Sequence, residues 1–179
     1  MSGLVRAALL VLAAILAAAL VAPARAAPRA ARVDSCDRLT AAMIRATGAS
    51  LAGRTGTLAV FRATDAERMS LDCRAPARMV FASLDREPAR GFYELIGRAA
   101  HALTGADAAA AEVLALRVHQ DSLLADAARQ GVAGKAALRC ETGPRDDALA
   151  GDRTVCVLVP NRPPVLRRRA GLPHGGTAG

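Results

Sequence analysis

The feature that most restricts what this chain can fold into is its set of cysteines, Cys36, Cys73, Cys140 and Cys156, the only four in 179 residues. A structural zinc site needs close pairs such as C-x-x-C to preorganise tetrahedral thiolates. Here the nearest two cysteines are sixteen positions apart and no histidine adjoins either of them. The same spacing removes a redox-active dithiol. An even set of widely spaced thiols in an exported chain instead reads as a disulfide framework. Three pairings are open; the preferred set joins Cys36 with Cys73 and Cys140 with Cys156.

Export itself is read from the N-terminus. Met1 to Arg6 carry one positive charge, Ala7 to Ala22 contain no charged residue, and Pro23-Ala24-Arg25-Ala26 follows. These are the charged, apolar and small-x-small segments of a bacterial signal peptide. The apolar run falls short of the roughly 20 residues that span hydrocarbon as a helix. The expectation is a signal peptide over 1–26, cleaved after Ala26, with an uncleaved anchor as the competing reading. No Arg-Arg pair precedes the run and no cysteine follows it directly, which speaks against a twin-arginine route and a lipid anchor. The expected destination is the periplasm or the extracellular space.

Charge is unevenly distributed. Of the formal +8, two charges are Arg6 and Arg25 of the leader and four are Arg162, Arg167, Arg168 and Arg169 of the tail, which leaves +2 on residues 27–160. The segment 161–179 combines Pro163-Pro164, the arginine triplet and terminal glycines, a composition of disordered basic tails. Arg167, Arg168 and Arg169 are its candidate contacts to an anionic envelope surface, at about 1 kcal/mol each near anionic lipid. The body has neither a basic stripe nor interleaved aromatics, so nucleic acid is not an expected partner.

Between leader and tail, residues 34–160 are read as one domain, after a flexible lead-in over 27–33. Asp34 and Ser35 are candidate N-caps for a helix whose positions Cys36, Leu39, Thr40, Met43, Ile44 and Thr47 recur at helical spacing before Gly48. After a glycine-rich loop over 53–56, Thr57–Ala63, Met69–Cys73 and Met79–Leu84 read as strands. Pro88 opens a second helix with the stripe Phe92, Leu95, Ile96, Ala99 and Leu103 and a stop at Thr104-Gly105. Asp107 caps a third helix to about Ala128, with the stripe Val113, Leu116, Leu123, Leu124 and Ala127 and Gly131 as its end. Ala136–Glu141 and Thr154–Val159 are two further strands around a turn-rich stretch, Thr142–Asp152. The order αβββααββ predicts an α+β domain: an antiparallel sheet of about five strands with three helices packed on one face.

Chemistry-bearing residues are sparse. His101, with Glu94 and Arg98, falls on the side of the second helix away from its apolar stripe, and His119 with Glu112 on the flank of the third; neither pair has the Glu-x-x-His spacing of a bundle metal site. His174 is in the tail. His119-Gln120-Asp121-Ser122 contains the residue types of a hydrolytic triad, but neighbours on one helix diverge by about 100° each. Gly131-Val132-Ala133-Gly134-Lys135-Ala136 has too few residues between its glycines for a phosphate loop and alanine where a hydroxyl is needed. No catalytic, cofactor or metal residue is therefore assigned. The reading is an exported binding or accessory domain of unknown ligand, without a cofactor. The alternatives are a small envelope hydrolase or glycan-modifying enzyme and a surface-tethered protein-interaction module using the basic tail.

Overall fold

The first helix already starts at Pro28. The computed structural model describes residues 28–145 and 151–161, with side-chain environments from Ser35 onward, and α1 spans Pro28–Thr47. Helix formation upstream of Asp34 and Ser35 follows from the Ala/Arg composition of that stretch, with proline at the first helical position, where it loses no hydrogen bond. The stretch expected as a flexible lead-in is thus helical from Pro28. The sheet and the remaining helices belong to one compact unit of the described residues that begins at Val33.

Four strands come next: β1 (Ser50–Thr55), β2 (Leu58–Ala63), β3 (Ala66–Asp72) and β4 (Arg78–Ser83). Two helices follow, α2 (Arg90–Thr104) and α3 (Ala108–Ala125), then β5 (Arg129–Ala133), β6 (Ala136–Pro144) and β7 (Asp152–Pro160). The fold is α+β, with one antiparallel sheet of order β1-β2-β3-β4-β7-β6-β5. Among the described residues the order is αββββααβββ, seven strands instead of about five. The two additional strands are the sheet edges, β1 and β5. Both are short and contain glycine, Gly53 and Gly131, which dilutes the β signal in sequence. Gly131 therefore lies inside a strand and does not end α3; Asp126 does, in a left-handed conformation at φ 48°.

Two-residue turns at Gly56-Thr57 and Gly134-Lys135 join neighbouring strands. Their glycines sit at φ 58° and 55°, a geometry that matches the right-handed twist of a hairpin and that side chains with a Cβ resist. The phosphate-loop echo at 131–136 is this second hairpin.

Strand register sorts the sheet into an inner and an outer face. One inner row runs Ala59, Leu71, Met79, Leu158, Leu138, and the next runs Phe61, Met69, Phe81, Cys156, Cys140. All ten are buried and belong to the hydrophobic core, joined by Phe92, Leu95, Ile96 and Ala99 of α2 and by Met43 of α1. Each such side chain contributes about 1.5–3 kcal/mol on full burial if large.

The helices do not form the even three-helix layer expected. α2 and α3 pair with one another, α3 lies along β5 and β6, and α2 reaches β7. α1 is tied in by Met43, by an ion pair between Asp37 and Arg54 and by a disulfide to the end of β3. The four cysteines form two disulfides, Cys36–Cys73 and Cys140–Cys156, the second between directly opposed residues of β6 and β7. Two bridges in one small domain suggest an oxidising, exported environment. No helix of the described residues is long and apolar enough to cross a membrane.

α3 turns a different face inward from the one its large apolar residues mark. Ala111, Ala115, Val118, His119 and Ser122 are buried, whereas Val113 and Leu124 are 67% and 88% exposed and Leu116 is exposed too. Close approach decides this. A Cβ on Gly97 of α2 would come within 2.5 Å of the Ala108 carbonyl oxygen, and one on Gly131 of β5 within 2.7 Å of Leu114 Cδ1. A helix wedged that tightly meets α2 through small side chains and fits Leu114 and Val118 over the glycine of β5, while Val113, Leu116 and Leu124 are left outside.

Candidate binding surface

The histidines separate. His101 is exposed and its Nδ1 lies 2.9 Å from the Ala106 carbonyl oxygen. Glu94 and Glu112 do approach a common point, but it is Arg90, at 2.8 and 3.8 Å, and neither histidine joins them. Among the described residues no group of three or more His, Cys, Asp or Glu is arranged to hold a metal ion. His174, Arg167, Arg168 and Arg169 lie outside the described residues, as does the leader.

His119 departs from its sequence reading: it is buried, only 2% exposed, and lies against Tyr93 with ring centroids 5.7 Å apart. A polar seam explains how it is tolerated. Thr154 Oγ1 donates to the carbonyls of Asp85 at 2.9 Å and Arg86 at 3.2 Å. Its single proton being used there, the 3.0 Å contact between Thr142 and Thr154 takes its proton from Thr142. Thr142 Oγ1 must then accept from His119 Nδ1, 3.3 Å away. The ring is the Nδ1–H tautomer, and Nε2 is a buried acceptor with no hydrogen-bond partner among the described residues.

Burial accordingly lowers the pKa of His119 below its ordinary 6.5, and burial pushes the Tyr93 phenol up to about 12. Ser122 Oγ donates to the His119 carbonyl at 2.7 Å and not to the ring, while Asp121 faces Arg117 at 3.9 Å. The tetrapeptide at 119–122 is no triad. Its histidine ties α3 to Thr142 of β6, and Thr154 of β7 holds the loop at 85–86.

A cleft of about 360 Å³ beside the β2–β3 turn is rimmed by Asp65, Glu67 and Asp85. The three carboxylates are exposed, and Ser83 donates to Asp85 at 3.3 Å. Among the described residues no histidine lines the cleft, and its one hydroxyl–carboxylate hydrogen bond, Ser83 to Asp85, joins residues two apart in the chain.

The outer face of the sheet has a different character. Its central row runs Val60, Ser70, Val80, Val157, Arg139, and beside it lie Ala82 with Val155 and Ala137 with Val159. Val60, Val80, Val155, Val157 and Val159 are partly exposed, and none belongs to the hydrophobic core or packs against it. β4 and β7 are thus apolar on both faces: Met79-Val80-Phe81-Ala82 and Val155-Cys156-Val157-Leu158-Val159. Continuous apolar strands of this kind are characteristic of sheets covered on both sides. Towards β5 the face dips into an apolar groove of about 490 Å³ lined by Val132, Ala137, Val157 and Val159.

Arginines frame the valines: Arg62, Arg68, Arg78 and Arg139 are exposed around them. Period two in the sequence does not mark this face, because both registers of β7 are hydrophobic; only the unbroken run points to it. Comparison with protein-family models, with curated proteins and with solved structures found no match for this chain.

Proposed function

We propose that this protein is an exported, non-enzymatic binding domain that docks a macromolecular partner on the outer face of its sheet. In this reading residues 1–26 direct a bacterial chain across the membrane, the two disulfides form in the periplasm or outside the cell, and the sheet is the working surface. One observation carries it: four valines on the adjacent central strands β4 and β7, Val80, Val155, Val157 and Val159, lie outside the core and form an apolar surface of the kind that proteins bury in interfaces, with Val60 beyond Ser70. Apart from the groove beside β5 the face is shallow, and an apolar surface that runs on from that groove over β7 and β4 suits a protein better than a small molecule. The hydrolase alternative is less favoured, since Ser122 donates to the His119 carbonyl and not to its ring, and that histidine lines no part of the acidic cleft.

The test is site-specific photo-crosslinking in the native host, with benzoylphenylalanine in place of Val157 or, as control, of Leu124 on α3. Discrete adducts at 157 and none at 124 are expected. Equal yields at the two positions, or none at 157, would remove the proposal.

A further inference from the structure

We infer that the partner is an acidic protein segment that lays apolar side chains on Val60, Val80 and Val157 and carboxylates against Arg62, Arg68 and Arg78. The inference rests on the docking reading above and adds the chemistry of the partner. Charge is the argument. The outer face carries Arg62, Arg68, Arg78, Arg139 and Arg153, whereas the whole of residues 27–160 has a formal charge of only +2. Its acids are already engaged: Glu141 pairs with Arg139 at 3.1 Å and Asp72 with Arg74 at 2.5 Å. Arg62, Arg68 and Arg78 are exposed and make no ion pair with any described residue.

Their placement brackets the valines. Arg68 stands opposite Ala82 at one end of β4, and Arg78 lies at the other end, so the two are roughly 13 Å apart along the strand direction at 3.3 Å per residue. A segment crossing Val80 and Val157 meets a guanidinium on either side. Complementary charge of this kind fixes register and speeds encounter, while the buried apolar rows hold the complex.

Other occupants fit less well. Two copies packed face to face would oppose like charges. The chain's own tail brings Arg162, Arg167, Arg168 and Arg169, of the same sign. The arginines alone would also attract anionic lipid, but a lipid surface is held by large apolar side chains such as Trp, Phe or Leu that insert among the acyl chains, and this face offers only short, partly buried valines.

The experiment uses the full chain with the photo-reactive residue at 157 in the native host, alone and combined with R62E/R68E/R78E or R62K/R68K/R78K. Intact mass with both bridges and an unchanged Tm establish that each variant is folded. A fall of at least tenfold in adduct yield for the glutamate triple, recovery with the lysine triple, and an adduct peptide rich in Asp and Glu are expected. Raising salt from 0.1 to 0.5 M during crosslinking of isolated envelopes or culture fluid should lower the yield severalfold. An undiminished yield in the glutamate triple would overturn the acidic partner and leave docking intact. Adducts to a second copy or to lipid would overturn it too, and absence of any adduct in the parent would remove the docking reading itself.

Discussion

Replacing Gly97 with alanine tests the packing that turns α3 around. The new Cβ would lie 2.5 Å from the Ala108 carbonyl oxygen and 3.2 Å from Glu112 Cβ. Carbon–oxygen contacts settle at about 3.3 Å or more, so α2 and α3 must part by roughly 0.8 Å. The oxygen belongs to the backbone and cannot rotate away. Nor can α3 retreat freely, because Leu114 and Val118 already rest over Gly131, leaving 2.7 and 3.1 Å to a Cβ built there.

Overpacking against a rigid neighbour costs up to about 3 kcal/mol, while exchanging glycine for alanine inside a helix returns about 1 kcal/mol. The net is about 2 kcal/mol of destabilisation. Spread over the entropy of about 130 described residues, at about 2.1 cal/mol/K each, this is a drop of about 7 °C in Tm. Thermal unfolding of the oxidised protein by circular dichroism reads it directly. A rise of about 3–4 °C, the propensity gain alone, would refute the close helix approach and with it the account of why Val113 and Leu124 face outward.

Three further outcomes are expected. Because burial lowers the pKa of His119 below 6.5, the unfolded chain takes up this proton at a higher pH than the folded one, so stability is lost as pH falls below about 6.5. His119→Gln should shrink the difference in urea stability between pH 8 and pH 5, and an unchanged difference would contradict a neutral His119. Replacing Cys140 and Cys156 together by alanine should cost about 3 kcal/mol, and replacing Cys36 and Cys73 about 4 kcal/mol, from loop separations of 16 and 37 residues; chemical denaturation gives both, and a reversed order would show that native-state contacts outweigh chain entropy. Thr154→Val removes the hydroxyl that holds the Asp85 and Arg86 carbonyls, at about 1–3 kcal/mol, and should speed amide exchange in residues 84–89 while sparing β2 and β3.

What the sequence discloses depends on whether burial and hydrophobicity coincide. They do in α2, where Phe92, Leu95, Ile96 and Ala99 are both the apolar stripe and the buried face. They coincide again in α1 at Cys36, Thr40 and Met43. They part company in α3, whose buried face is Ala111, Ala115, Val118, His119 and Ser122, and a search for large apolar residues then selects the wrong side. The small residues Ala111, Ala115 and Ser122 at helical spacing are the signal that would have found the true face.

Edge strands β1 and β5 escape because glycine and exposed polar positions erase their alternation. The seam from His119 to Arg86 is tertiary: its members lie on α3, β6, β7 and a loop, and nothing local links them. The apolar outer face is legible only once strand order is known, as two strands with no polar register.

The whole account rests on a domain whose four thiols were oxidised after export. Intact mass of the protein taken from its native compartment, alkylated before and after reduction, tests this in one measurement. The expected mass is that of a chain starting at Ala27 that takes up no alkyl group until it is reduced and then takes up four. A full-length chain in the cytosol with four cysteines alkylated at the outset would contradict it.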